Sequence, residues 1–302
     1  MSFVINILGS GAAAPKSCRY PTAQALQVNE YVYLLDCAEG AQMQLRRYKV
    51  KFQHIKAVFI SHLHGDHVFG LPGLLSSLSM LDRTEPLEVF APPYLDEWFL
   101  GQLKYFTPLG FQLNFHILNA KEPEIIYEDK QIMVSCFPLK HRIPTYGYLF
   151  RERPKLLNIR RDMIEFYSIP LRDIPAIKAG ADFVTEEGKT VPNAHLTHPP
   201  VKPPSYAFCT DTVYIEELSK VIKDVDLLYH EATYSKDENL RAKETFHSTA
   251  EDAAKVALAA NAGKLVIGHF SSRYKDVTSL LEEAKSIFPN TEAAEDGNKF
   301  QV

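Results

Sequence analysis

Short apolar runs rich in β-branched and aromatic residues recur along the chain, each leading into a polar position. The clearest are Ala57-Val58-Phe59-Ile60-Ser61, Ile132-Met133-Val134-Ser135-Cys136-Phe137, Ser205-Tyr206-Ala207-Phe208-Cys209 and Leu265-Val266-Ile267-Gly268. Their length and composition predict buried strands. Ser2 to Leu8 predicts a further strand followed by a tight loop, and residues 22–28 and 31–36 predict a hairpin turning at Asn29-Glu30. Good helix formers fill Gly40 to Tyr48. Leu71 to Leu81 has apolar spacing fit for a helix, with Pro72 in its first turn, where proline is tolerated. Helices over 215–223, 248–261 and 276–287 alternate with strands over 225–230 and 265–269. Residues 1 to about 150 and 205–302 are thus compatible with two similar β/α halves.

The residues just after the strands carry the chemistry. His62-Leu63-His64-Gly65-Asp66-His67 follows the strand at 57–61, placing three imidazoles and a carboxylate within six positions. Neither a core nor a helix cap needs such a cluster, whereas His and Asp together suit a borderline metal such as zinc. In this spacing His62 and His64 can reach one ion from the loop, while Asp66 and His67 swing to a second. Three later strands end near single candidates, His141, Asp211 and His269. Any one of these alone would read as a turn residue or a cap; together they complete a metal-binding set.

Composition narrows the class further. The chain has 302 residues, 46% hydrophobic and 23% charged, enough for a full core. A net charge of −4 argues against a dedicated nucleic-acid coat protein but does not exclude an enzyme with a local basic patch. The four cysteines, Cys18, Cys37, Cys136 and Cys209, form no C-x-x-C pair, which favours reduced thiols in a cytosolic protein. No apolar run approaches the roughly 20 residues of a membrane span. Gly9-Ser10-Gly11-Ala12-Ala13-Ala14 fits the dinucleotide pattern G-x-G-x-x-A, with Asp36 downstream as its acidic partner. Pro15 and the strand at 22–28 leave no room for the helix whose N-terminus would hold a pyrophosphate. These glycines are expected instead to let a loop pass close to the metal site.

Residues 151–204 differ from both halves. They open with Arg151-Glu152-Arg153-Pro154-Lys155 and close with His198-Pro199-Pro200-Val201-Lys202-Pro203-Pro204. About 70 positions separate His141 from Asp211, far more than an ordinary loop. Arg151, Arg153, Lys155, Arg160, Arg161, Arg172 and Lys178 offer charge to phosphates, although a solvated face would look the same. His54, His116, His195 and His198 fall in no pattern and are expected to be structural or exposed.

The metal motif resembles that of the metallo-β-lactamase superfamily, and the wider chain resembles the ribonuclease Z family. The likeness includes Leu8-Gly9-Ser10-Gly11, Asp36-Cys37-Ala38-Glu39-Gly40-Ala41-Gln42 and Ser61 to Leu75. It continues in His230-Glu231-Ala232-Thr233, His247-Ser248-Thr249-Ala250 and Gly268-His269-Phe270-Ser271-Ser272-Arg273-Tyr274. The resemblance implies an α/β fold, the αββα four-layer metallo-β-lactamase sandwich, with residues 1–302 as the catalytic domain and 151–204 as an arm inserted within it. In place of the Gly-Pro-rich tip usual in the bacterial arm, this chain has Ile174-Pro175-Ala176-Ile177-Lys178-Ala179-Gly180. The resemblance also implies two Zn2+ per chain: His62, His64 and His141 hold one, Asp66, His67 and His269 the other, and Asp211 bridges them.

Asp66 then doubles as the base for the attacking water, and His247 is the acid for the leaving oxygen. Glu231 accepts a proton from His247 and holds its ring, while His230 stands behind the metal ligands. Arg153, Lys155, Arg160, Arg161 and Lys178 become candidates for contacts with tRNA. The implied enzyme is a cytoplasmic homodimer without a membrane anchor. It removes the 3′ trailer from precursor tRNA, leaving a tRNA 3′-hydroxyl and a trailer 5′-phosphate. Two other readings stay open on the residues alone: hydrolysis of small phosphodiesters or aryl sulfates on the same fold, and a metal-containing tRNA-binding protein without turnover. The residues also leave open which metal is loaded and whether a precursor carrying CCA is accepted.

Overall fold

The structure, a computed structural model, describes residues 3–14, 16, 19–103, 108–199 and 201–302, with the backbone alone at 102 and 103. Pro15, Cys18 and Pro200, named above, lie outside the described residues. The chain forms two compact units: Met1–Arg151 together with Pro204–Val302, and Glu152–Pro203.

The larger unit contains two seven-stranded sheets. The first holds β1 (Phe3–Gly9), β2 (Ala23–Val28), β3 (Tyr31–Leu35), β4 (Ile55–Phe59), β5 (Leu87–Ala91) and β6 (Leu113–Ile117). The second holds β7 (Glu124–Glu128), β8 (Ile132–Leu139) and β9 (Thr145–Glu152). In the smaller unit lie the two-residue strands β10 (Phe183–Val184) and β11 (Thr190–Val191). The second sheet continues with β12 (Ser205–Cys209), β13 (Leu227–Glu231), β14 (Lys264–Gly268) and β15 (Thr291–Ala293), and β16 (Lys299–Gln301) returns to the first, beside β1. The hairpin β2–β3 turns at Asn29-Glu30 as expected, with Asn29 left-handed at φ 53°.

Period-two alternation sorts the side chains into layers. Tyr33 and Leu35 of β3 and Tyr206 and Phe208 of β12 enter one core between the sheets, with Phe59, Tyr148, Phe150 and Tyr229. Val32 and Leu34 face away, onto the helices Ala41–Arg47, Leu71–Met80 and Leu95–Leu103. On the other side Ala207 and Cys209 meet the helices Leu218–Val221, Ala250–Ala259 and Thr278–Ile287. The result is the expected αββα sandwich. Each large side chain buried in the central layer contributes about 1.5–3 kcal/mol.

The helix expected over 215–223 shrinks to one turn, Leu218–Val221. Asp224 follows in the left-handed region at φ 56°, and its N–H donates to the Ala260 carbonyl, which turns the chain into β13. The helix expected over 248–261 begins at Ala250. Thr249 caps it: it exchanges hydrogen bonds with Asp252 in a reciprocal capping box, a device that stabilises a helix by about 1 kcal/mol.

The smaller unit has its own miniature core of Ile169, Ile177, Phe183, Val191 and Leu196. The stretch Ile174–Lys178 is helical and buries Ile177 in that core. Asn193 staples the unit, its amide donating to the carbonyls of Ile177 (2.7 Å) and Ala181 (2.8 Å). Among its cations, Lys155 is paired with Glu152 at 2.8 Å and Arg160 with Asp162 at 2.7 Å. Arg161 is exposed and Lys178 partly so.

Candidate metal centre

The strands β3, β4 and β5 run parallel, as do β12, β13 and β14. Their carboxyl ends deliver the polar residues that close each apolar run. Three of those residues adopt the left-handed region: Asp36 (φ 55°), Asp211 (φ 49°) and His269 (φ 56°). That conformation costs roughly 1–2 kcal/mol at a residue with a Cβ, more readily borne by Asp than by His. All three side chains belong to one polar cluster.

The seven candidate ligands come together. Asp211 presents Oδ2 to His62 Nε2 (3.5 Å) and His141 Nε2 (3.8 Å), and Oδ1 to His67 Nε2 (3.4 Å) and His269 Nε2 (3.1 Å). His64 Nδ1 lies 3.0 Å from His62 Nε2 and 3.3 Å from His141 Nε2. Asp66 Oδ2 is 3.5 Å from His67 Nε2 and 3.8 Å from His269 Nε2. Donors about 2.0–2.1 Å from one tetrahedral ion stand roughly 3.3 Å apart, so these spacings are those of ligands. One donor cluster comprises His62, His64, His141 and Asp211, another Asp66, His67 and His269.

The outward nitrogens show why a cation belongs between the donors. His67 Nδ1 donates to Asp36 Oδ2 at 2.7 Å. His141 Nδ1 donates to the Phe246 carbonyl at 2.9 Å. His62 Nδ1 meets Ser61 Oγ at 3.0 Å, whose own hydrogen goes to Asp36 at 2.9 Å. His269 Nδ1 meets Thr233 Oγ1 at 2.9 Å, and that hydroxyl donates to Glu231 Oε2 at 2.6 Å. These four rings therefore turn bare Nε2 lone pairs towards one another and towards two carboxylates. Metal ions suit such a pocket, and these partners fix each ring's orientation and tautomer. Without a cation the carboxylates draw protons in: burial opposes charge on His67, but Asp211, Asp36 and Asp66 outweigh it and push the ring up to about 10. Metal binding would displace that proton.

His247 also stands beside this group, with Nδ1 4.0 Å from Asp211 Oδ2. That nitrogen is engaged by Glu231 Oε1 at 2.9 Å. Burial works against a charged ring, but the Glu231 carboxylate prevails and raises His247 to about 9. Glu231 is itself buried and also accepts from the Thr212 N–H at 2.8 Å. His247 thus lies in a cavity of about 420 Å³ shared with His64, Asp66 and His269, and with Asp211 and His269 it forms a third group of donors.

At Gly9 a Cβ would sit 1.8 Å from the Pro21 carbonyl oxygen, and further along the loop the Ala13 N–H donates to Asp66 Oδ2 at 2.7 Å. His230 differs from its expected place behind the ligands. Its Nδ1 bonds to the Glu231 carbonyl at 2.8 Å, and its buried Nε2 meets no partner among the described residues. Alternation along β13 explains this, since Glu231 points to the site and its neighbour must point away. Of the remaining histidines, His54 bonds to the Glu30 carbonyl, His116 stacks on Phe90 and pairs with Glu88, and His195 and His198 are exposed. The residues that the sequence reading missed are Asp36 in this role, Ser61 and Thr233. Asp36 carried the same signal as the ligands, an acid at a strand's end. Only the fold brings Ser61 and Thr233 under the rings.

Two sheets in an αββα sandwich, with a His/Asp cluster at their strand ends, define a metallo-β-lactamase-fold protein. A Ribonuclease Z of Bacteroides thetaiotaomicron is 48% identical over 290 residues, 96% of this chain and 92% of that protein. A Ribonuclease Z of Parabacteroides distasonis is 46% identical over 301 residues, 99% of each. The crystal structure of human tRNase Z, short form, superposes with a TM-score of 0.71 at 26% identity, covering 98% of both chains. The metallo-beta-lactamase fold protein YhfI of Bacillus subtilis matches in fold, with a TM-score of 0.71 at 16% identity over 100% of both chains. The family described as Anti-Pycsar protein Apyc1 matches residues 3–151. The full-length relatives decide between these: the chain belongs to the ribonuclease Z family, the tRNA 3′-processing endonucleases.

Proposed function

We propose that this chain removes the 3′ trailer of precursor tRNA with two Zn2+ per chain. His62, His64 and His141 would hold one ion, Asp66, His67 and His269 the other, and Asp211 both. The observation that carries this reading is the division of Asp211, which turns Oδ2 to one cluster and Oδ1 to the other. When bound, such ions would lower the pKa of a shared water and neutralise charge on the phosphoryl oxygens.

The chain's own residues supply the rest. The Ala13 N–H fixes the Asp66 carboxylate, which orients the attacking water and accepts its proton. His247, charged and held by Glu231, donates a proton to the departing 3′ oxygen of the tRNA. Glu231 keeps that ring aimed through the reaction. The unit Glu152–Pro203 is proposed as the arm that grips the tRNA body, with Arg161 and Lys178 as its phosphate contacts and Arg153 as a further candidate. Lys155 and Arg160, already matched by acids, contribute less. The enzyme is proposed to act in the cytoplasm as a homodimer. No described helix is long and apolar enough to cross a membrane.

The test is incubation with a 3′-extended tRNA transcript, with and without a chelator, followed by mapping of both ends. A single cut leaving a 3′-hydroxyl and a 5′-phosphate, lost on chelation and restored by zinc, is expected. Cleavage that survives complete metal removal would refute the reading.

A further inference from the structure

Among the described residues, the cavity of the donor clusters is lined by one permanently charged cation, Arg142. It belongs to none of the donor groups. Arg142 follows His141 directly, and the segment that carries both is pinned on two sides. The Val213 N–H donates to the Lys140 carbonyl at 3.1 Å, and the Lys140 N–H to Thr212 Oγ1 at 3.2 Å, next to Asp211. His141 Nδ1 donates to the Phe246 carbonyl at 2.9 Å, and Arg142 Nη2 to the Glu244 carbonyl at 3.1 Å. The guanidinium of this exposed residue is thus tethered beside a candidate metal ligand.

Glu244 lies in the last turn of the helix Asn239–Thr245, and a cation there can serve only to satisfy the end of a helix. That role needs one N–H of the guanidinium and leaves the others free. The charge around Arg142 argues for more. No acid pairs with it among the described residues, whereas Arg160 is matched by Asp162 and Arg273 by Glu238. The carboxylates in the same cavity, Asp66 and Asp211, lie against imidazoles instead. A planar guanidinium with donors to spare, facing a cavity that takes a polyanion, matches a phosphate group. Which phosphate follows from the reaction. The bound ions would neutralise the scissile group. The phosphates on either side of it in the RNA gain nothing from the ions, and a cation outside the donor groups is free to meet one of them.

We infer that Arg142 is a substrate-positioning residue that grips a backbone phosphate next to the scissile one. This rests on the endonuclease reading. The test uses the metal-loaded full chain and a 3′-extended acceptor-stem hairpin in three forms: unmodified, or with an uncharged methylphosphonate in place of the phosphate on the 5′ or the 3′ side of the scissile one. Arg142→Ala should raise KM for the unmodified RNA by about tenfold and change kcat by less than about threefold. Arg142→Lys, which keeps the charge without the fork, should recover part of the loss. One methylphosphonate should raise the parent's KM by about tenfold but that of Arg142→Ala by less than about twofold, and its side identifies the phosphate. Equal sensitivity of parent and variant to both methylphosphonates would overturn the assignment. So would a fall in kcat with KM unchanged, or a loss confined to thermal stability, which would leave Arg142 as a partner of the helix end alone. Failure of the parent chain to cut the unmodified hairpin and full 3′-extended tRNA would instead defeat the endonuclease reading.

Discussion

Two buried carboxylates, one at the end of β3 and one at the end of β13, are used in the same way with different results. Asp36 accepts from His67 directly and reaches His62 through the Ser61 hydroxyl. Glu231 accepts from His247 directly and reaches His269 through the Thr233 hydroxyl. Each carboxylate thus orients one imidazole itself and a second through a hydroxyl. Both partners of Asp36 are candidate ligands, whereas Glu231 divides its effect between a candidate ligand and a candidate acid. On the proposed reading the first half of the site would hold metal alone, and the second would hold metal and also poise a proton. The difference lies in what packs against the second carboxylate: the loop before the helix Ala250–Ala259 brings in a histidine that has no counterpart beside Asp36.

Removal of the group both halves share should have the largest effect. Asp211→Ala is expected to lower bound metal and abolish cleavage of tRNA and small phosphodiesters alike; full metal occupancy with normal turnover would contradict its place between the clusters. Next comes His247→Ala, expected to slow cleavage by about 10²–10⁴-fold with metal content unchanged. Loss of zinc in this variant would make His247 a ligand and erase the contrast with Asp36.

The pH profile sharpens the same point. With its pKa raised to about 9, His247 is the active acid below that value, so turnover should fall as pH rises through it. Bound cations oppose the charge on the ring, so the fall should lie at or below about 9. Glu231→Gln should move it lower. The same ion pair contributes stability that is complete below the unfolded value of about 6.5 and is lost as pH rises through about 9.

Asp36→Asn is expected to weaken metal affinity by about 10–100-fold, and turnover at saturating zinc should recover. A rate defect that persists in a fully loaded protein would show that Asp36, too, serves proton transfer. The smallest effect should come from the unit Glu152–Pro203. Arg161→Ala/Lys178→Ala should reduce the salt dependence of tRNA binding by up to about one unit of slope per lost contact, with small-phosphodiester hydrolysis unchanged. Equal damage to both substrates would contradict a role confined to tRNA.

The seven candidate ligands were legible because each follows an apolar strand, and the carboxyl ends of parallel strands come together when two halves pack face to face. Helix ends were legible only where local chemistry specifies them. Thr249 with Asp252 does so, whereas the helix expected over 215–223 is cut short by the left-handed turn at Asp224. His230 was misplaced because periodicity gives alternation without saying which face meets the metals. In the smaller unit Ile174–Lys178 forms a short helix that buries Ile177.

By itself, then, the sequence determined the local facts: which runs are strands, which residues end them, and that their donors suit a metal. Tertiary structure alone decided which partner each donor meets. Asp36 lies 25 positions from Ser61 and 31 from His67 along the chain, and Glu231 lies 16 from His247. Their ring tautomers and the raised pKa of His247 depend on distances of a few ångströms across segments. Those distances arise only when the two sheets bury their shared core, which no local pattern encodes.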